Sequence, residues 1–202
     1  MTPSASMSEP PVSAKRAGLL DAAWRLFYRD GYHAVGIDTV LAEAGVAKMT
    51  LYKHFPSKED LIGAVLERRS RELEIVFEKT LAEAGRSGTK RLLALFAMLG
   101  AWFRMRDFNG CAFIKAVAEY PDPKSKPHRA AAAHKTRLLT RVTALAEELG
   151  AKDPEALARS LMLLSEGAIV TAHIYDRPEA AEEAAEAARV LITTAAKQKD
   201  AV

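Results

Sequence analysis

The sequence predicts an all-α protein, and three observations carry that expectation. Of 202 residues, 38 are alanine, the strongest helix former. Valine, isoleucine and threonine together number only 29, poor material for sheets. The nine prolines stand at 3, 10, 11, 56, 121, 123, 127, 154 and 178, so 57–120, 128–153 and 155–177 run without a helix breaker. All-β and doubly wound architectures are excluded on the same grounds.

The helices follow in order. Ser13 to Arg29 places Leu20, Trp24 and Phe27 at i, i+4, i+7 with Ala17 and Ala23 beside them, and Gly31 stops it. A short helix fits Asp38 to Ala44, with Val40, Leu41 and Ala44 inward and Gly45 after it. Another fits Lys48 to His54, with Leu51 and Phe55 facing the core and Pro56 ending it. Ser57-Lys58-Glu59-Asp60 reads as a capping box. The helix that it opens carries Leu61, Val65, Leu73, Val76 and Leu81, and over 57–84 forms a rod of roughly 40 Å.

Beyond Gly88 the helices lengthen. Leu92, Phe96, Leu99 and Phe103 form one stripe, Ala112 to Tyr120 is a short apolar helix, and Pro121 to Pro127 is expected as a loop. Leu138, Val142, Leu145 and Leu149 mark the next helix. Asp153-Pro154 caps another, apolar on more than one face through Leu157, Leu161, Met162, Leu163, Leu164, Ala168, Ile169, Val170 and Ile174. Such a helix needs a second surface to bury against. Pro178 opens the last, Ala-rich helix, to about Ala196.

One cysteine, Cys111, cannot close an intramolecular disulfide, which fits a reducing cytoplasm. Residues 1–12 are Pro- and Ser-rich without the apolar centre of a signal peptide, and are expected to be a disordered tail. No run approaches the roughly 18 apolar residues of a membrane span, so no membrane partner is expected. The formal charge of +3 is a mild basic bias, and residues 1–60 balance 7 basic against 7 acidic side chains. Nucleic-acid binding by that part must rest on geometry rather than bulk charge.

Two short helices joined at a glycine, about 36–55, make a helix-turn-helix. The second would expose Lys48, Met49, Thr50, Tyr52 and Lys53 along one side, with His54 close by. Lysine reaches phosphate or guanine, the threonine hydroxyl reaches phosphate, methionine meets thymine methyls and tyrosine the backbone. Lys58 opens the next helix, where unpaired amides favour a phosphate.

The stretch Gly45-Val46-Ala47-Lys48-Met49-Thr50-Leu51-Tyr52-Lys53-His54-Phe55-Pro56-Ser57-Lys58-Glu59-Asp60-Leu61 resembles the DNA-binding signature of the tetracycline-repressor (TetR/AcrR-type) family of bacterial transcription regulators. The resemblance covers about residues 13–65. It implies a homodimer with a three-helix DNA-binding domain, 13–60, and a helical ligand-sensing and dimerisation domain, 61–202. It implies base or near-base contacts from Lys48, Met49 and Thr50, phosphate contacts from Tyr52, His54 and Lys58, and a variable contact from Lys53. Gly36 stands where the family often has Ser or Thr, and Leu41 where Ala is usual, which leaves contacts from the first of the two helices, through Thr39, less defined.

Several features admit two readings. His54 is either a phosphate donor or a packing histidine, and Met49 either a base contact or a tolerated surface residue. Trp102, Phe103, Met105, Phe108, Phe113 and Tyr120 either line an apolar ligand pocket or form ordinary core. Glu166 and His173 suit a polar pocket floor or a dimer interface. Cys111 fits a small core residue better than a thiol sensor. The histidines at 33, 54, 128, 134 and 173 lack ligand spacing, so no metal or other cofactor is expected. Lys124-Ser125-Lys126, between prolines, reads as a solvated loop.

The expected function is therefore a dimeric, sequence-specific regulator. In the favoured form it is a repressor released from a near-palindromic operator by a small, lipophilic effector, with dimerisation through about 153–175 and 179–196. The competing reading is a ligand-binding helical scaffold with a vestigial DNA-binding domain. With no nucleophile matched to a base and no phosphate loop in the sequence, an enzyme is not expected.

Overall fold

The computed structural model describes residues 14–197; the tail expected over 1–12 lies outside them. The described residues form nine helices: α1 (Ala14–Asp30), α2 (Ile37–Ala44), α3 (Lys48–His54), α4 (Lys58–Glu83), α5 (Gly88–Phe103), α6 (Ala112–Glu119), α7 (Lys126–Leu149), α8 (Pro154–Tyr175) and α9 (Ala180–Lys197). No strand occurs among the described residues. The chain divides into two compact units between Val65 and Leu66, with α4 running through the division.

In the first unit, α1 packs on α2 and α3. Its buried face is Leu19, Leu20, Ala22, Ala23, Leu26 and Phe27. The predicted stripe is thus corrected at Trp24, which is only half-buried and stacks on Tyr28 at 4.8 Å between ring centroids. Leu26, a half-turn on, takes the core position instead. Val40, Leu41, Leu51, Phe55, Leu61 and Val65 complete this core, and Tyr32 and Val35 from the α1–α2 connection join it. Ala44, expected inward, is half-buried. Ser57 caps α4 as expected: its Oγ accepts from the Asp60 N–H at 3.1 Å, and its hydroxyl donates to the Asp60 carboxylate at 2.6 Å.

In the second unit, α7 packs on α5, α6 and α8, while α9 packs on α5 and α8. The rest of α4 contributes Leu66, Phe77 and Leu81 to burial, whereas Val76, expected inward, is exposed beside Ile75. Phe77 is the next residue on, about 100° further round the helix, and it occupies the inward direction. The loop expected over Pro121 to Pro127 ends earlier. Ser125 caps α7 by accepting the His128 N–H, and Pro127 sits buried in the first turn, where its missing N–H removes no helical bond.

The two-sided helix is observed. α8 buries Leu157, Ala158, Leu161, Ala168, Ile169 and Ala172. Its other side leaves Leu163, Val170 and Ile174 exposed, with open space over Gly167. By length and composition α8 is apolar enough to cross a membrane, contrary to the reading of the sequence; 39% of that stretch is buried within the fold.

Candidate nucleic-acid interface

The geometry of α2 and α3 is set by the turn between them. Gly45 adopts φ 64°, a left-handed conformation favouring glycine, and its N–H reaches the Ala42 and Leu41 carbonyls. The Val46 N–H then bonds Leu41 O at 3.3 Å. Ala47, extended, starts α3 by offering its carbonyl to the Thr50 and Leu51 N–H groups.

This entry orients α3 with Leu51 and Phe55 buried. Met49, 80% exposed, and Tyr52, 41% exposed, point away from the core, together with Lys48 and Lys53. Thr50 and His54 are half-buried at the edges of that face, the His54 ring lying 6.3 Å from Phe55. Thr39 is exposed on α2. Lys48 Nζ lies 3.6 Å from Asp38 Oδ1, a surface pair that tethers the lysine across the turn. Lys58, half-buried at the start of α4, donates to the His33 carbonyl at 3.2 Å, so a phosphate there would share an ammonium already held in place. Gly36 precedes α2 without a side-chain cap, and a Cβ added to it would meet only Thr39 Oγ1, at 3.9 Å. The departure at Gly36 therefore follows from no steric need.

The eight residues proposed to line a ligand site do not gather in one place. Trp102, Phe103 and Phe108 do meet, Phe108 lying 5.0 Å from each of the other two ring centroids. His173 adds its edge to Phe108 at 6.1 Å and shares a 2.9 Å hydrogen bond with Asn109 Oδ1. Met105 is exposed beyond α5. Phe113 lies elsewhere, buried against His134. Tyr120 is half-buried and offers its carbonyl to His128 Nδ1 at 3.0 Å, while Glu166 pairs with Lys135 at 3.1 Å. An open groove of about 500 Å³ between α5 and α9, floored by Leu93, Ala97, Gly100 and Ala181, contains none of the eight.

Sequence reasoning missed the polar group formed by Ser70, His134 and Arg137. Its members are 64 and 67 positions apart, with no periodic signal to join them. Ser70 is the buried polar residue of the described fold. Its contact with a histidine invites a catalytic reading, but the hydroxyl is enclosed and burial lowers the His134 pKa to about 4, making a poor base at neutral pH. Cys111 is buried at the N-cap of α6. Among the described residues no group of three His, Cys, Asp or Glu is placed to hold a metal.

Residues 19–65 match the family described as bacterial regulatory proteins, tetR family, and residues 88–188 match the tetracyclin repressor-like C-terminal domain. The crystal structure of SCO4454, a TetR-family transcriptional regulator from Streptomyces coelicolor, superposes with a TM-score of 0.84 at 36% identity, covering 90% of this chain and 96% of that one. The chain belongs to the TetR family.

In this TetR-family regulator α2 and α3 are the helix-turn-helix of a DNA-binding domain, and the protein is a transcription regulator rather than an enzyme. The activator FasR of Mycolicibacterium smegmatis is 48% identical over 58 residues, 29% of this chain and 26% of FasR. The repressor ComR of Escherichia coli K12 is 32% identical over 105 residues, 52% of this chain and 50% of ComR. The matches thus span a quarter to a half of those two relatives, which control transcription in opposite directions.

Proposed function

We propose that the protein is a homodimeric repressor acting on chromosomal DNA in the cytoplasm, released from a near-palindromic operator by a small-molecule effector. The observation that carries this reading is the outward face of α3. Met49 and Tyr52 are solvent-exposed between two lysines on a helix anchored on its other side by the fully buried Leu51. An exposed methionine on a cationic face costs nothing if it meets thymine methyls, and is otherwise poor surface chemistry. Lys48, Met49 and Thr50 read base edges. Tyr52, His54, Lys53 and Lys58 hold phosphates, and Thr39 adds a contact from α2.

Dimerisation is proposed through α8 and α9. Leu163, Gly167, Val170 and Ile174 recur at i, i+4, i+7 and i+11, a single exposed stripe, and Val190 and Leu191 are exposed on α9. Two copies joined on such a face form a four-helix bundle with two-fold symmetry, and present two copies of α3 to half-sites about one DNA turn apart or somewhat further. Residues 13–60 then read DNA while 61–202 dimerise and sense the effector. Because α4 is continuous from Lys58 to Glu83, an effector that turns its second half also turns its start. A coupling of about 1–3 kcal/mol is ample for release.

Selection of bound duplexes from a random library, in about 0.15 M salt with competitor DNA, tests the reading. An enriched palindrome supports it. Recovery of only sequence-independent, salt-labile DNA overturns it in favour of a ligand-binding scaffold whose DNA-binding domain is vestigial.

A further inference from the structure

Ser70, on α4, is 4% exposed and touches two groups of α7. Arg137 Nη2 donates to its Oγ at 2.8 Å, and the same Oγ lies 2.9 Å from His134 Nδ1. A guanidinium can only donate, so Ser70 Oγ accepts from Arg137, while its second lone pair and its own proton let the contact with Nδ1 run in either direction. In the tautomer that takes the Ser70 proton on Nδ1, the imidazole proton resides on Nε2. Burial, with Lys135, Arg137 and Arg69 nearby, keeps the ring neutral. Phe113 covers one ring face at 3.7 Å between centroids, the planes 9° apart, so the ring cannot turn without breaking both the stack and the Ser70 bond.

In that tautomer Nε2–H is a donor fixed in direction by the Phe113 stack and the Ser70 contact. It has no partner among the described residues, and no buried side-chain nitrogen or oxygen among them lacks one, so Nε2 is open to solvent or to a bound molecule. The local charge is cationic. Lys135 is matched by Glu166 and Arg69 by Glu72, but Arg137 has no carboxylate partner among the described residues. A donor held in place beside an uncompensated guanidinium is complementary to an anionic oxygen.

We propose that the Ser70–His134–Arg137 relay is the recognition point for an organic anion, whose carboxylate-type oxygen accepts from His134 Nε2–H in the field of Arg137. Calling that anion the effector rests on the regulatory reading above; the binding itself does not. A neutral isostere lacks the charge that Arg137 rewards, so the relay selects acids over the matching amides. Arg137 acts here through charge and through Ser70, and is a positioning residue.

The test uses the full chain, labelled with ¹⁵N and studied by long-range imidazole NMR at neutral pH, the His134 signals being assigned by their loss in His134→Gln. Benzoate and benzamide are the probes. The expected result is a ring in the Nε2–H form whose Nε2 signal moves with benzoate and not with benzamide. Arg137→Gln, at an exposed position, should weaken the benzoate response about tenfold, the size of a lost charge-assisted interaction. An Nδ1–H ring, a His134 signal indifferent to benzoate, or equal responses to acid and amide overturns the proposal. Operator binding measured on the same samples separates the two readings. A protein that binds benzoate at His134 but no specific DNA fails as a regulator while the anion site stands. A protein that binds its operator with His134 silent loses the anion site alone.

Discussion

Gly110 lies directly against the imidazole of His173: a Cβ built on Gly110 would stand 3.0 Å from His173 Nδ1. Gly110 also holds φ 71°, so two independent constraints disfavour a side chain there. The contact joins the loop before α6 to the end of α8, and the Asn109–His173 hydrogen bond reinforces it one residue away. Gly110→Ala should lower stability by about 1–3 kcal/mol in urea denaturation. Adding His173→Ala should recover the steric part and leave the backbone part, a non-additivity that a double-mutant cycle measures.

Leu51 and Tyr52 are adjacent in sequence and opposite in exposure, so they separate fold from function. Leu51→Ala removes a fully buried side chain and should destabilise the first unit by about 2–5 kcal/mol. Tyr52→Ala should leave stability within about 0.5 kcal/mol and weaken operator binding about tenfold, read by fluorescence anisotropy. Unchanged operator affinity in a folded Tyr52→Ala protein would count against α3 as the reading helix.

The dimer face makes its own prediction. Val170→Glu and Ile174→Glu place charge on the exposed stripe of α8 without touching the buried one. Light scattering at micromolar concentration should show the wild type at twice the chain mass and the double variant as a folded monomer. A wild-type monomer at that concentration removes the proposed interface.

His134 predicts a pH dependence of definite sign. Its pKa is lowered to about 4 in the fold, from 6.5 in the unfolded chain, chiefly by burial and further by the cations around it. Between these values the unfolded chain binds a proton that the native ring refuses, so stability falls as pH drops from 6.5 to about 4, with no further loss from this group below that. Allowing for solvent screening at the ring's open edge, the difference between wild type and His134→Gln should change by about 2 kcal/mol across the window. Denaturant midpoints at a series of pH values measure it. A constant difference would place the ring in a more solvated setting.

Operator affinity should fall steeply with salt, since Lys53 and Lys58 of each subunit release counterions on meeting phosphates. Lys53→Ala should reduce the slope of log affinity against log salt by about 1 without altering the preferred sequence.

Much of this architecture was legible because it is local. The Gly45 turn, the Ser57 cap and the Asp153-Pro154 start each depend on a few adjacent residues, and each lies where spacing placed it. The misses have a common cause. Trp24 against Leu26 and Val76 against Phe77 are choices of which side of the helix turns inward, decided by which neighbour fills the space, and periodicity alone leaves them one or two positions apart. Pro127 reads as a loop residue until Ser125 is seen to cap the helix around it.

The sequence by itself determined the helical class, the helix-turn-helix and the residues of α3 that face outward, because propensity, capping and amphipathic spacing act within one or two turns. Only the tertiary structure decided which aromatic residues meet, that Phe113 leaves the Trp102–Phe108 cluster for His134, and that Ser70 joins Arg137 to that ring. Those relations link residues more than sixty positions apart or choose among several apolar partners of equal hydrophobicity. Burial energy is nearly indifferent to such a choice, and three-dimensional packing settles it.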